Sequence, residues 1–152
     1  MRAIIAVLMG IFSATALALA AEPIATTDGE TPGLSLQVQE LKVSNGTAML
    51  RFTIVNDSSG VFDPSTLADK TAAKPDYSSI SGVYLVDTAH KKKYLVVLDS
   101  DSHCLCSRES QNIQSKSGAN LWAKFPAPPD DVQKIGVVVP HFVPLDDVPI
   151  SR

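Results

Sequence analysis

The chain has 152 residues, 45% of them hydrophobic, and carries a formal net charge of −3 at pH 7. This length fits one domain, which can bury about two-thirds of the surface that its unfolded chain exposes. The mild acidity argues against a nucleic-acid partner, because binding nucleic acid needs a concentrated basic face. The one basic cluster, Lys91-Lys92-Lys93, is interpreted as a solvated turn or as charge that guards a sheet edge.

The first twenty residues are typical of a secretory signal peptide. Met1-Arg2 gives a positive start, an apolar run follows, and small residues lead to Ala20. The apolar run is short for a membrane-spanning helix. We therefore expect cleavage after Ala20 or Ala21, export to the periplasm or the medium, and a mature chain without a membrane span.

The mature chain is predicted to begin with a flexible lead-in over residues 21–33, which are rich in Thr, Gly, Pro and acidic side chains. Apolar and polar residues alternate over residues 34–38, as in a half-buried strand. The phase slips by one after Gln39-Glu40, which predicts a β-bulge. Asn45-Gly46 then predicts a tight hairpin, because this dipeptide tolerates the positive φ angles that such a turn needs.

Residues 61–79 are predicted to form a long loop with one helical turn at residues 64–69, and whether this loop binds anything stays open. Residues 82–87 and 93–98 are apolar at nearly every position, which predicts central strands that are covered on both faces. Further strands are expected at residues 120–125 and 135–139, and prolines should keep the tail extended or on a sheet edge. About seven strands without a long helix predict an antiparallel β-sandwich over residues 34–152.

Residues 99–107 hold both cysteines, one of the three histidines and two aspartates of the chain. In a straight strand, the Cα atoms of Cys104 and Cys106 would lie about 6.6 Å apart. A disulfide between them therefore needs a bend at Leu105. By the chain-entropy relation such a short loop contributes only about 1.6 kcal/mol, so the bridge would shape the bend rather than staple the domain.

Three interpretations of this segment stay open. Cys104 and Cys106 can form a structural disulfide, which an oxidising compartment preserves. Their thiolates can instead bind Cu(I) or Zn(II) together with His103, and His90 or His141 would have to complete the site from distant turns. The third interpretation is a free or redox-active dithiol, although the helix-start C-x-x-C context of thiol-exchange enzymes is absent.

The other polar candidates are interpreted as ordinary surface residues. Asp99 and Asp101 lack the remainder of a calcium-loop pattern, so water is expected to solvate them. Trp122 is expected to be half exposed, and a single aromatic is weak support for a sugar or peptide platform. Because no nucleophile elbow or other catalytic set is recognisable, we expect neither an enzyme nor a cofactor.

Four segments together resemble the immunoglobulin-like domains of bacterial exported proteins, including those found ahead of OmpA-like peptidoglycan-binding domains. These are Val83-Tyr84-Leu85-Val86-Asp87 with Tyr94-Leu95, Cys104-Leu105-Cys106-Ser107, Phe125-Pro126-Ala127-Pro128-Pro129 and Val148-Pro149-Ile150. The resemblance implies an immunoglobulin-like sandwich in a periplasmic or cell-surface setting, and it implies no catalytic residues.

The resulting hypothesis is an exported, non-enzymatic immunoglobulin-like module that contacts an envelope or secreted protein. The alternative is a small metal-binding or thiol-redox protein that uses Cys104, Cys106 and His103.

Overall fold

A computed structural model describes residues 22–108 and 110–152. The predicted signal peptide, residues 1–20, lies outside the described residues. Among the residues that are described, no helix is both long enough and apolar enough to cross a membrane.

The described chain is an all-β sandwich of two four-stranded antiparallel sheets, which confirms the predicted fold class. The first sheet has the order β1-β2-β3-β6, and the second has the order β5-β4-β7-β8. The strands are β1 (Ala25–Asp28), β2 (Leu34–Ser44), β3 (Thr47–Asn56), β4 (Tyr84–Asp87), β5 (Lys92–Leu95), β6 (Ser117–Pro126), β7 (Lys134–Val138) and β8 (Leu145–Pro149).

The core lies between the sheets and is built from alternate residues of each strand, because successive side chains of a strand point to opposite faces. On β3 and β6, the alternate apolar residues that face inward are fully or almost fully buried. They are Ala48, Leu50, Phe52, Ile54, Leu121, Ala123 and Phe125. On the second sheet, Leu85 and Val137 occupy the equivalent inner row.

The β2–β3 hairpin forms as the sequence predicts. Asn45 and Gly46 adopt φ angles of 50° and 75° at its turn. The pairing register of β2 with β3 shifts between Val38 and Glu40, which confirms the bulge. The extra residue returns Leu41 to the inner face, where it is fully buried.

The prediction of a flexible lead-in over residues 21–33 is wrong for its central part. Here β1 pairs with β2 through the register Ala25↔Val38 to Asp28↔Ser35. This edge strand is held by main-chain hydrogen bonds. Such bonds form without apolar side chains, so the polar composition of the segment does not prevent the pairing. Ala25 of β1 is partly buried and packs against the core.

The prediction that residues 82–87 and 93–98 are covered on both faces is also wrong. Although β4 is central, β5 is an edge strand of only four residues. The chain then crosses to the first sheet, where the N–H of Val97 donates to the carbonyl of Lys124 at 2.9 Å. As a result, Tyr84 and Val86 on the outer side of β4 stay partly exposed, and Leu95 is 56% exposed.

The remaining connections follow the predictions. The long loop contains a single 3₁₀ turn, Pro64–Leu67, which begins after Asp63 because this side chain accepts from the N–H of Ser65. Lys91 lies in the β4–β5 turn, and Lys92 begins the edge strand. In the tail, β8 forms the other edge of the second sheet.

Candidate functional site

The cysteine segment forms a short hairpin that extends the first sheet beyond β6. Leu98 pairs with Cys104 within the hairpin, and Cys106 pairs with Ala123 of β6. The N–H of Asp99 donates to the carbonyl of His103 at 2.8 Å across the tip. Segment 99–107 is therefore held by main-chain pairing on both of its sides.

Cys104 and Cys106 are joined in a disulfide, and their Cα atoms lie 5.3 Å apart. This separation is shorter than the roughly 6.6 Å of a straight strand, as the predicted bend requires. Both cysteines are buried within the hydrophobic core. Leu105 lies between them, and its carbonyl accepts from the N–H of Lys124 at 2.9 Å.

His103 is exposed on the other side of the hairpin from the buried sulfurs, with half of its side-chain surface open to solvent. Its imidazole instead lies near Asp99 and Asp101. One possible metal-ligand atom of each of the three residues lies within 4.8 Å of the others. Within the described part of the chain, this is the group of at least three His, Cys, Asp or Glu residues that could hold a metal ion. One imidazole with carboxylate oxygens suits divalent ions such as Zn²⁺.

The carboxylate of Asp99 also organises the hairpin tip. Its Oδ1 accepts from the N–H of His103 and from the N–H of Asp101, both at 2.9 Å. Both bonds hold the pKa of Asp99 below its usual range, and the bond from His103 has the larger effect. The left-handed backbone of Ser102, with φ of 66°, turns the chain between these donors.

His90 and His141 lie in other turns and pair with other carboxylates. Nδ1 of His141 lies 2.9 Å from Oε2 of Glu30. Nδ1 of His90 lies 2.7 Å from Oδ2 of Asp87. The structure thus gives each histidine a carboxylate partner of its own rather than gathering the three around the cysteines.

The His90 pair contains a buried aspartate, Asp87, that the sequence reasoning did not single out. Asp87 continues the inward row of β4 after Leu85, and its side chain is only 2% exposed. Its Oδ1 accepts from the backbone N–H of His90 at 3.1 Å, while its Oδ2 lies 2.7 Å from Nδ1 of the His90 imidazole. The alternation Val83, Leu85, Asp87 was the available signal, since it puts the aspartate on the buried face.

The environment shifts the pKa values of both partners. Burial is the largest influence on Asp87 and disfavours its charge, but the backbone and side-chain hydrogen bonds from His90 outweigh it, so its pKa is lowered. The pKa of His90 is raised, chiefly by its hydrogen bond to Asp87 and then by the charge of that carboxylate. On its other side, Nε2 of His90 lies 3.4 Å from Oδ2 of Asp131.

An open cavity of about 680 Å³ adjoins this pair, on the outer side of the second sheet. Its wall contains one lysine, Lys134, the imidazole of His90 and several carboxylates. The acidic residues that line it are Asp87, Asp131, Asp146 and Asp147.

Beside the cavity, the outer surface of the second sheet carries several apolar side chains, and Lys93 lies among them, opposite Val86 and over the Tyr84 ring. We define the apolar outer face as Tyr84, Val86, Leu95 and Val138; Tyr84 pairs with Leu95 on one side and with Val138 on the other. Gly136 lies opposite Val86, and a Cβ added there would come within 3.2 Å of the Val86 carbonyl. This glycine therefore lets the two strands approach closely beneath the face.

The outer surface of the first sheet is largely polar, although Met49 and Val55 of β3 also lie on it. Gln37, Thr53 and Asn120 form one cross-strand row, and the Thr53 hydroxyl donates to Oδ1 of Asn120. Trp122 pairs with Arg51 in the next row and is 37% exposed, in agreement with the sequence prediction.

No protein-family model matches the chain, and neither a curated protein nor a solved structure matches it.

Proposed function

We propose that this protein is an exported, non-enzymatic immunoglobulin-like module that binds a protein partner in the cell envelope or outside the cell. The apolar outer face of the second sheet is the proposed contact surface. The single observation that supports it most is the continuous row Leu95, Tyr84 and Val138, with Val86 beside it. Isolated exposed apolar residues are ordinary, but a contiguous apolar patch marks an interaction surface.

The surroundings of this face define the chemistry of the partner. The adjoining cavity presents the carboxylates of Asp131, Asp146 and Asp147, against the single ammonium group of Lys134. A complementary partner presents apolar side chains to the sheet and a lysine or arginine to the cavity, because complementary charge sets register and excludes wrong partners. The proposed occupant is therefore a protein segment of mixed apolar and basic character.

Two features of the chain support the proposed setting outside the cytoplasm. The N-terminal twenty residues have the pattern of a signal peptide, and the Cys104–Cys106 disulfide suits an oxidising compartment. The immunoglobulin-like assignment is supported by the resemblance of four segments and by the two-sheet architecture.

The test is photo-crosslinking in the cells that make the protein. A photoreactive amino acid at Leu95 should give a discrete adduct with another protein, whereas the same group at Arg51 on the polar sheet should not. Asp146→Lys combined with the Leu95 probe should weaken the adduct, because it reverses charge in the cavity. Identical adducts from both positions, no adduct from Leu95, or an adduct of two copies of this chain would contradict the proposal.

A second candidate function is the binding of a copper or zinc ion at the hairpin tip. The convergence of His103 with Asp99 and Asp101 favours it, with carboxylates in place of the sulfurs. Titration of the oxidised protein with Zn²⁺ should shift the imidazole resonances of His103, and His103→Ala should abolish the binding. His141→Ala is the matched control and should leave it intact. Equal Zn²⁺ binding by the His103→Ala variant would exclude this function.

A further inference from the structure

His90 lies between carboxylates that belong to two different loops. It is part of the β4–β5 turn, together with Asp87 at the end of β4. Asp131 belongs to the β6–β7 connection, 41 positions further along the chain than His90. The two ring nitrogens face one carboxylate each, Nδ1 at 2.7 Å from Asp87 and Nε2 at 3.4 Å from Asp131. The imidazole can therefore join the loops only while both nitrogens carry protons.

We infer that His90 is a proton-operated clasp that holds the β6–β7 loop against the β4–β5 turn. When the imidazole is doubly protonated, it donates to Asp87 and attracts Asp131. When it loses one proton to solvent, the contact with Asp131 is released while that with Asp87 remains. This inference does not rest on the partner binding proposed above, although Asp131 lines the cavity that the proposal uses.

The two arms of the clasp are unequal because the two carboxylates differ in burial. The side chain of Asp87 is 2% exposed, whereas that of Asp131 is 69% exposed. A buried carboxylate that loses its donor suffers the full cost of desolvation, while an exposed one is solvated by water. The neutral imidazole therefore keeps the Nδ1 proton, and the proton leaves Nε2. The lone pair of Nε2 then faces the negative Asp131, and that arm opens.

Other ionisable groups surround the clasp and modulate it. The Tyr94 phenol beneath it is neutral, and its pKa is raised by burial first and then by the charges of Asp87 and Asp131. The remaining charged groups follow His90 on its own turn and β5, lie beside Asp131, or line the cavity from β7 and β8. They are Lys91, Lys92, Asp130, Lys134, Asp146 and Asp147.

The direction of the pH dependence follows from the raised pKa of His90, whose ordinary value is 6.5. The Asp131 arm is fully closed below that ordinary value, and it opens as the pH rises through the higher pKa of the folded protein. Opening removes one positive charge from the cavity wall and frees the Asp131 carboxylate. The acidic cavity thus becomes more negative over the range in which histidine titrates.

The test is an NMR titration of the full-length secreted protein from pH 5 to 9. The His90 ring should titrate at a higher pH than a histidine in the urea-unfolded chain, and the backbone amides of residues 130–133 should shift with the same midpoint. Asp131→Asn should lower the His90 midpoint and remove the shift of those amides. Asp130→Asn is the matched control in the same loop, since Asp130 faces Arg152 at 3.5 Å, and it should preserve the coupled titration.

His90→Gln should abolish the amide transition while the loop stays folded. If that variant unfolds, Asp131→Asn still decides the matter, because it leaves the His90–Asp87 pair untouched. Loop amides that titrate with a midpoint other than that of His90 would overturn the inference. A His90 midpoint that responds equally to Asp130→Asn and Asp131→Asn would also overturn it, because the effect would then be one of general charge.

Discussion

In the first sheet, the outer row Gln37, Thr53 and Asn120 is polar, as expected where one face of an antiparallel sheet meets water. In the second sheet, the corresponding row is Leu95, Tyr84 and Val138. The inner rows of both sheets are equally buried. Burial in the core accounts for the inner rows alone, and the apolar outer face of the second sheet needs another explanation, which is why we propose that it binds a partner.

The sheets also differ in the polar residue that each buries at a strand end. Asn56 ends β3 and is fully buried, and its amide donates to the carbonyls of Gly60 and Ile113, both at 2.9 Å. Asp87 ends β4, and its charge is balanced by His90. The anchor of the first sheet is thus neutral at every ordinary pH, whereas that of the second is coupled to a titrating group.

The largest expected effect tests the distinction between inner and outer rows. Phe52→Ala removes a fully buried ring from the core and should lower the free energy of unfolding by about 3–5 kcal/mol. Leu95→Ala on the apolar outer face should change it by no more than about 0.5 kcal/mol. Urea unfolding of both variants measures this. A loss at Leu95 comparable with that at Phe52 would mean that the outer face is structural rather than available for binding.

The next test concerns the strand-end anchors. Asn56→Ala removes the two hydrogen bonds that the amide donates to the carbonyls of Gly60 and Ile113, and it should cost about 1–3 kcal/mol in the free energy of unfolding. This cost should be the same at pH 5 and pH 8, because an amide does not titrate. Asp87→Asn should instead show a cost that is larger at pH 5, where the charged His90 loses its counter-ion. Equal pH dependence in the two variants would remove the distinction between the anchors.

A smaller effect is expected from the hairpin that joins the edge strand β5 to the first sheet. Reduction of the Cys104–Cys106 disulfide should lower the free energy of unfolding by about 1.6 kcal/mol, because the bridge closes only a short loop. Urea unfolding with and without a phosphine reductant measures the change. The Cys104→Ser, Cys106→Ser double variant is the control and should not respond to the reductant. Thiols that react with an alkylating agent in the unreduced, denatured protein would show that the disulfide is absent.

The smallest effects compare single surface cations on the two sheets. Lys93 Nζ lies 3.6 Å from the centroid of the Tyr84 ring, and Lys93→Met should cost about 0.5 kcal/mol. Arg51 forms an exposed ion pair with Glu40 at 3.5 Å, and Arg51→Met should cost about 0.3 kcal/mol. In 1 M NaCl, the Arg51 effect should disappear by screening. An equal loss of both effects in salt would indicate that the Lys93 contact is a charge effect and not a contact with the ring.

Much of the candidate site could be predicted as a list of residues but not as an arrangement. The bend at Leu105 was predictable, because a disulfide between residues two apart cannot close on a straight strand. That His103 meets Asp99 and Asp101 while the sulfurs face the core was not. Neighbouring residues of a strand alternate between faces, and the hairpin register that selects the faces depends on pairing with β6.

The clasp at His90 shows even more clearly which contacts the sequence predicts and which it does not. Asp87 and His90 lie three residues apart, and the inward alternation of β4 already points the aspartate at the core. Asp131 lies 41 positions further along the chain than His90, and nothing in its local pattern indicates a partner. The contact exists because β7 returns beside β4 and brings the preceding loop to the β4–β5 turn.

By itself, the sequence determined the all-β class, the Asn45-Gly46 hairpin, the bulge after Val38 and the inward rows of β3 and β6. These features depend on local rules, namely the two-residue period of a strand and the φ angles that a turn demands. Only the tertiary structure decided that β5 is an edge, that residues 25–28 form a strand, and that the outer face of β4 stays open. Those outcomes depend on which strands become neighbours. Main-chain hydrogen bonds make that pairing, and they require no particular pattern of side chains in the sequence.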